Sequence, residues 1–176
     1  MNGQAQKSRN LLHNRMVIFW LLVSVVIVVL DLWTKNIATQ NLTLYRPLEL
    51  TSWLNMTLAH NYGAAFSFLS DAGGWQRWLF TGLALVVTAV LIIWLLRLPA
   101  ADKLTAAALA LIIGGALGNV IDRIRHGYVV DFVDVYYRGW HWPAFNLADS
   151  AITCGVILLL LDGLLLTAVK KPSVDV

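Results

Sequence analysis

The sequence predicts a mainly α-helical membrane protein with four spanning helices and a small outward-facing β-sheet between the first two. Three observations carry this. The 176 residues are 59% hydrophobic and only 13% charged, and mean hydropathy is +0.68. The apolar residues fall into four uncharged runs: 16–30, 78–96, 104–121 and 150–161. Between the first two runs lies a polar stretch with strand-like alternation. A bilayer core needs roughly 20 mostly apolar residues. The middle two runs meet this directly, the first by continuing past Asp31, and the last by running across Asp162. The expected spans are about 16–37, 76–97, 104–122 and 146–169, all within one domain covering 1–176.

Residues 1–15 are polar and read as loose. Lys7, Arg9 and Arg15 precede the first apolar run as in a signal peptide, but Asp31-Leu32-Trp33-Thr34-Lys35 follows in place of a small-residue cleavage pattern, so an uncleaved anchor fits. Four spans leave both termini on one side. The termini and the 97–103 loop carry seven basic residues against Asp102 and Asp175, while the other loops and helix ends carry six basic and seven acidic. That asymmetry favours cytoplasmic termini and two outward loops.

The outward segment at about 41–70 alternates through Leu48-Glu49-Leu50-Thr51 and Leu54-Asn55-Met56-Thr57-Leu58, which reads as a sheet on the membrane surface. Asp71-Ala72-Gly73-Gly74 is a turn, and Trp75 and Trp78 suit an interfacial belt. The second outward segment, about 123–145, reads as an interfacial loop or helix with Tyr136, Tyr137, Trp140 and Trp142 in the headgroup layer. The lone Cys154 rules out an intrachain disulfide and reads as a small buried apolar residue. The +3 charge comes without a basic stripe interleaved with aromatics, so no nucleic-acid partner is expected.

Polar groups near the bilayer are costly and so mark function. Asp31 and Lys35 share a helix face as an i,i+4 pair, either fixing the helix end or offering a catalytic lysine. Gly114 and Gly118 form a small-residue face for close helix approach, followed by Asn119, Asp122 and Arg123, which serve either packing or a site. Asn146 with Asp149 three residues later resembles a capping box. Asp149 would also lie at the edge of the hydrocarbon, where desolvation raises a carboxyl pKa. Two carboxylates sharing a proton can activate water and protonate a leaving amine. Chemistry alone leaves the partner of Asp149 open among Asp31, Asp122, Asp131 and Asp134.

Other chemistries have less support. His13, His60, His126 and His141 lack zinc-binding spacings, so no metal or other cofactor is expected. A Ser/Lys peptidase could draw on Lys35 with Ser67 or Ser150, but no local motif supports it. A transporter or proton relay predicts acids through the membrane depth and internal symmetry. Only Asp162 lies in the far half of a span, and no repeat is visible.

Four segments in order, Asn61-Tyr62-Gly63-Ala64-Ala65-Phe66, Gly118-Asn119-Val120-Ile121-Asp122-Arg123, Val129-Val130-Asp131-Phe132 and Phe145-Asn146-Leu147-Ala148-Asp149-Ser150, closely resemble the motifs of bacterial lipoprotein signal peptidase, signal peptidase II. The resemblance covers nearly the whole chain except the polar N-terminus. It implies an inner-membrane aspartyl endopeptidase that removes signal peptides from prolipoproteins on the amino side of a diacylglyceryl-modified cysteine. It selects Asp131 and Asp149 as the catalytic pair. It also implies that Asn61, Gly63, Asn119, Arg123 and Asn146 line the substrate site, that membrane lipid surrounds the substrate, and that globomycin-type inhibitors occupy the site.

Overall fold

The computed structural model describes residues 2–63 and 73–169, with side chains described over 11–63 and 73–164. Its elements are α1 (Asn2–Asn41), β1 (Leu48–Thr51), β2 (Leu54–Asn61), α2 (Gln76–Arg97), α3 (Lys103–His126), β3 (Val129–Tyr137), β4 (Trp140–His141) and α4 (Leu147–Val169). All four helices are long and apolar enough to cross a membrane. The polar lead-in expected to be loose is instead helical from Asn2. Helix propagation from an established span costs little, and Gln, Ala, Lys, Arg and Leu are adequate helix formers. The expectations for residues 64–70, Ser67 and the Asp71-Ala72 half of the turn lie outside the described residues.

Helix α3 is the axle of the bundle. Most of its spanning stretch is buried, while the other three helices face outward over most of theirs. Its sequence explains this, because small residues on several sides let neighbours close in. A β-carbon on Gly114 would meet the Ser24 carbonyl and Ile27 of α1, and one on Gly115 would strike the Ala148 carbonyl of α4. At Gly118 it would lie 2.5 Å from the Asp31 carboxylate. With lipid as solvent, such backbone-level packing takes over the role that hydrophobic burial plays in water. Leu95, Leu98, Ala106, Leu109 and Ile113 form a buried apolar cluster where α2 and α3 meet. Cys154, expected buried, is exposed on α4. A small apolar side chain suits lipid as well as it suits a protein interior.

The sheet departs from expectation in its composition. Its order is β1-β2-β3-β4, antiparallel throughout, so the second outward segment is no loop or interfacial helix but supplies an interior strand. The nine residues of β3 are rich in Val, Phe and Tyr, a β-forming composition masked by apolar residues on both faces and by the acids at 131 and 134. Gly127, left-handed at φ 87°, caps α3 through its N–H to the Arg123 carbonyl at 3.1 Å and turns the chain into β3. Along the other edge of β3, Phe132 and Val133 donate to the Phe145 carbonyl, and Phe145 donates back to Val133. The start of α4 is thereby fastened to β3.

If Gly118 is required for this packing, Gly118→Ala should destabilise the protein by about 1–3 kcal/mol. Gly82→Ala, inside α2 where an added carbon meets nothing within 4 Å, should instead hold or slightly raise the melting temperature in detergent, since alanine favours the helix.

Candidate active site

The site begins with a buried ion cluster. Lys35 Nζ lies 2.7 Å from Asp31 Oδ2, 3.0 Å from Asp122 Oδ2 and 2.9 Å from Asn119 Oδ1. Three oxygens thus surround the ammonium group, two in ion pairs and one in a hydrogen bond. Lys35 is 3% exposed and Asp31 0%. The second functions of the acids are what organise the site. Asp31 Oδ1 accepts the Ala148 N–H at 2.9 Å, tying down the first turn of α4. Asp122 Oδ2 accepts the Val130 N–H at 3.0 Å, tying down β3.

Above this cluster lie Asp131 and Asp149, bridged by one residue. Asn146, fully buried, donates its side-chain amide to Asp131 Oδ1 at 2.7 Å and its backbone N–H to Asp149 Oδ2 at 3.2 Å. Its Oδ1 accepts the Asp149 N–H at 2.8 Å, which completes the reciprocal capping box read from the sequence. Asp149 Oδ1 accepts a second bond from Asn119 Nδ2 at 2.7 Å. Asn119 is oriented in turn by Lys35 and by Asn146 Nδ2, both on its Oδ1. Capping and membership of the acid pair coincide in Asp149.

Asp131 Oδ2 accepts a bond from Asn61 Nδ2 at 3.1 Å, and a β-bulge makes that contact possible. Near the start of β2, Asn55 faces Asp134 and Met56 faces Val133. Further along, Ala59 faces Asp131 and Asn61 faces Val129, with the register shifted between Met56 and Ala59. One extra residue in β2 exchanges the faces its later side chains occupy. Without it, Asn61 would point away from Asp131. Asn61 Oδ1 also accepts the Gly63 N–H at 3.0 Å, and the Gly63 carbonyl accepts a bond from Arg123 Nη2 at 3.3 Å. All seven residues singled out in the sequence therefore meet in one cluster.

The alternatives to Asp131 are otherwise engaged. Asp31 and Asp122 share the Lys35 ammonium. Asp134 lies on the opposite face of β3, held by Asn55 Nδ2 at 3.0 Å and by His141 at 2.9 Å. Asp131 is different, being 2% exposed and bonded only to neutral amides. Burial first, and the charge of Asp149 second, push its carboxyl up to about 7. The amides of Asn61 and Asn146 oppose this only partly.

The rival chemistries lose ground on the same geometry. Lys35 is engaged by Asp31, Asp122 and Asn119, and Ser150 Oγ donates to the Asn146 carbonyl at 3.0 Å. Asp162 accepts from Thr105 Oγ at 2.6 Å, joining α3 to α4 several turns along α4 from Asp149. No group of three or more metal-ligating side chains occurs among the described residues. The sequence reading missed that Lys35 serves Asp122 and Asn119 as well as Asp31. It also missed Asn55 and His141 as keepers of Asp134. The i,i+3 spacing of Asn119 and Asp122 was the available signal for the first.

The chain is similar to known proteins over most of its length. Residues 23–165 match the family model described as Signal peptidase (SPase) II. A lipoprotein signal peptidase from Acinetobacter baumannii is 53% identical over 176 residues, covering 99% of this chain and 98% of the relative. One from Acinetobacter baylyi is 57% identical over 150 residues, covering 85% and 82% respectively. A solved bacterial membrane enzyme superposes with a TM-score of 0.79 at 33% identity, over 90% of this chain and 94% of that one.

Two stability measurements test the electrostatics. Lys35→Met leaves two buried carboxylates without their cation and should cost about 3–5 kcal/mol, whereas Arg138→Gln on the exposed hairpin should stay within about 0.5 kcal/mol. Because the folded-state pKa of Asp131 is raised, its ionisation opposes folding as pH climbs from its ordinary value of 3.8 towards 7. Asp131→Asn should therefore raise the melting temperature more at pH 8 than at pH 5; an equal shift at both would show that Asp131 titrates normally.

Proposed function

The chain belongs to the signal peptidase II family, and from that premise we propose that it is a lipoprotein signal peptidase acting as an aspartyl endopeptidase on Asp131 and Asp149. The observation that carries the reading is the bridge through Asn146. It holds two acids together without giving either a direct cation, while burial and the charge of Asp149 push the Asp131 carboxyl up to about 7.

In this mechanism the pair shares one proton, held on Asp131, because two like charges so confined do not both ionise. Ionised Asp149 takes a proton from water as that water attacks the scissile carbonyl. Protonated Asp131 hydrogen-bonds the carbonyl oxygen and stabilises the charge that develops there. Collapse of the tetrahedral intermediate breaks the C–N bond, and a proton passes to the departing amine of the cysteine. Asn119 and Asn146 keep the two carboxylates oriented throughout. Arg123 lies within electrostatic reach of both acids and, with Asn61 and the Gly63 backbone, lines the approach of the peptide.

The substrates on this reading are prolipoproteins carrying a diacylglyceryl-modified cysteine, cut on the amino side of that residue. Their acyl chains rest in membrane lipid beside the helices. The enzyme is placed in the bacterial inner membrane with cytoplasmic termini and the acid pair towards the periplasm. Globomycin-type cyclic peptides compete for the same cleft.

Asp131→Asn and Asp149→Asn should each reduce cleavage of a lipidated precursor by at least about 10⁴-fold while leaving the melting profile folded. Retained turnover in either variant sinks the assignment. For the wild type, kcat/KM should fall as pH rises through about 7, because Asp131 then loses the proton it must supply.

A further inference from the structure

On the side of β3 away from Asp131, at the sheet-bearing end of the bundle, α1 and α3 part to leave a cavity of about 290 Å³. Val130, whose side chain alternates with that of Asp131, lies in its wall. Asn36 of α1, Arg125 and His126 of the last turn of α3, and Tyr128 complete its polar rim. Lys35 and Asp122 of the ion cluster also line it, and both are already engaged in that cluster with Asp31.

Arg125 is the unexplained group. It is exposed and forms neither a hydrogen bond nor an ion pair among the described residues. Around it stand further donors with unused capacity. Asn36 accepts a bond from Gln40 on its Oδ1 at 3.2 Å, which leaves its amide N–H groups free. Tyr128 is held by its ring, stacked on His60 at 3.8 Å and edge-on to Tyr62 at 5.4 Å, with its hydroxyl unbonded. His126 adds a second cation when protonated.

Depth identifies the ligand class. The cavity sits towards the ends, at Asn41 and His126, of two helices long and apolar enough to span a membrane, and a bilayer core matched to those spans puts it near the headgroup layer. Leu32 lines it from α1. Val28 lies one helical turn deeper on the same stripe and is half-buried, so an apolar track leads down into the bilayer. A guanidinium with neighbouring amide and hydroxyl donors matches phosphate oxygens. A zwitterionic headgroup would bring a cation too, and Asp122, the only carboxylate among the described residues of the wall, already faces the Lys35 ammonium that it shares with Asp31.

We propose that this cavity holds the phosphate headgroup of an anionic membrane phospholipid, with Arg125 as the principal contact and Asn36 and Tyr128 as supporting donors. The site is separate from the acid pair and does not rest on the peptidase reading. The bland role for Arg125, a cation complementing the carbonyl end of α3, predicts no lipid preference.

The test is native mass spectrometry of the full chain, released from mild detergent with equimolar phosphatidylglycerol and phosphatidylcholine. The wild type should retain one phosphatidylglycerol in preference to phosphatidylcholine. Arg125→Gln should lower that retention roughly five-fold, the worth of one interfacial cation, while Arg125→Lys keeps most of it. Should Arg125→Gln not fold, Asn36→Leu, which fills the cavity from α1, must give a comparable loss. Arg46→Gln, outside the cavity, must not. Equal retention of the two lipids by the wild type, or a preference untouched by Arg125→Gln or Asn36→Leu, overturns the proposal. So does saturation by soluble glycerol phosphate without lipid, which would mark a site for a free phosphate ester.

Discussion

Everything at the sheet-bearing end of this protein depends on one buried ammonium group. Lys35 stands between two carboxylates and an asparagine oxygen, and each partner grips a different element. Through Asp31 it reaches the first turn of α4, through Asp122 the start of β3, and through Asn119 the carboxylate of Asp149. Alone, such a cluster is a poor source of stability, because desolvating three charges offsets most of their attraction. Its value is geometric. Hydrophobic contact has no preferred direction, whereas backbone N–H groups pointed at fixed carboxylate oxygens define where a strand and a helix must begin. Gly118 completes the arrangement by leaving room for Asp31 against α3.

The acid pair is then positioned by ordinary secondary-structure devices put to a second use. A helix N-cap supplies the bridge, a β-bulge supplies Asn61, and a short antiparallel ladder to Phe145 sets the spacing. Rigid elements hold reacting groups more closely than loops do. Here the same hydrogen bonds that start α4 also aim its acid. The tension is electrostatic, since Asp131 is kept dry and beside a like charge. Stability given up in this way is a familiar companion of activity.

Much of this was legible in the residues, and unevenly so. The four helices follow from run length and bilayer thickness, and the capping box was visible as Asn146-Leu147-Ala148-Asp149. The glycine face of α3 was visible too, as Gly114 and Gly118. The strand status of Val129–Tyr137 was not recognised, because apolar residues on both faces erase the alternation by which a half-buried strand announces itself. Nor was the bulge, which depends on a pairing register between segments far apart in sequence. Spacing within one helix revealed the Asp31–Lys35 pair, yet nothing local says that Asp122, 87 positions beyond Lys35, completes it. Local pattern predicts elements; long-range charge pairing decides what they enclose, and there the four motifs in order supplied what periodicity lacked.

The mixed parentage of the sheet bears on how the chain is made. β2 precedes α2, whereas β3 follows α3, so two entire membrane crossings are synthesised between strands that must pair. Until the second of those crossings is complete, Asn61 has no Asp131 to hold, and Asp149 has not yet emerged. A nascent chain stalled at any earlier stage therefore contains no assembled acid pair. The order of synthesis itself keeps the two carboxylates apart until the membrane protein around them is nearly whole.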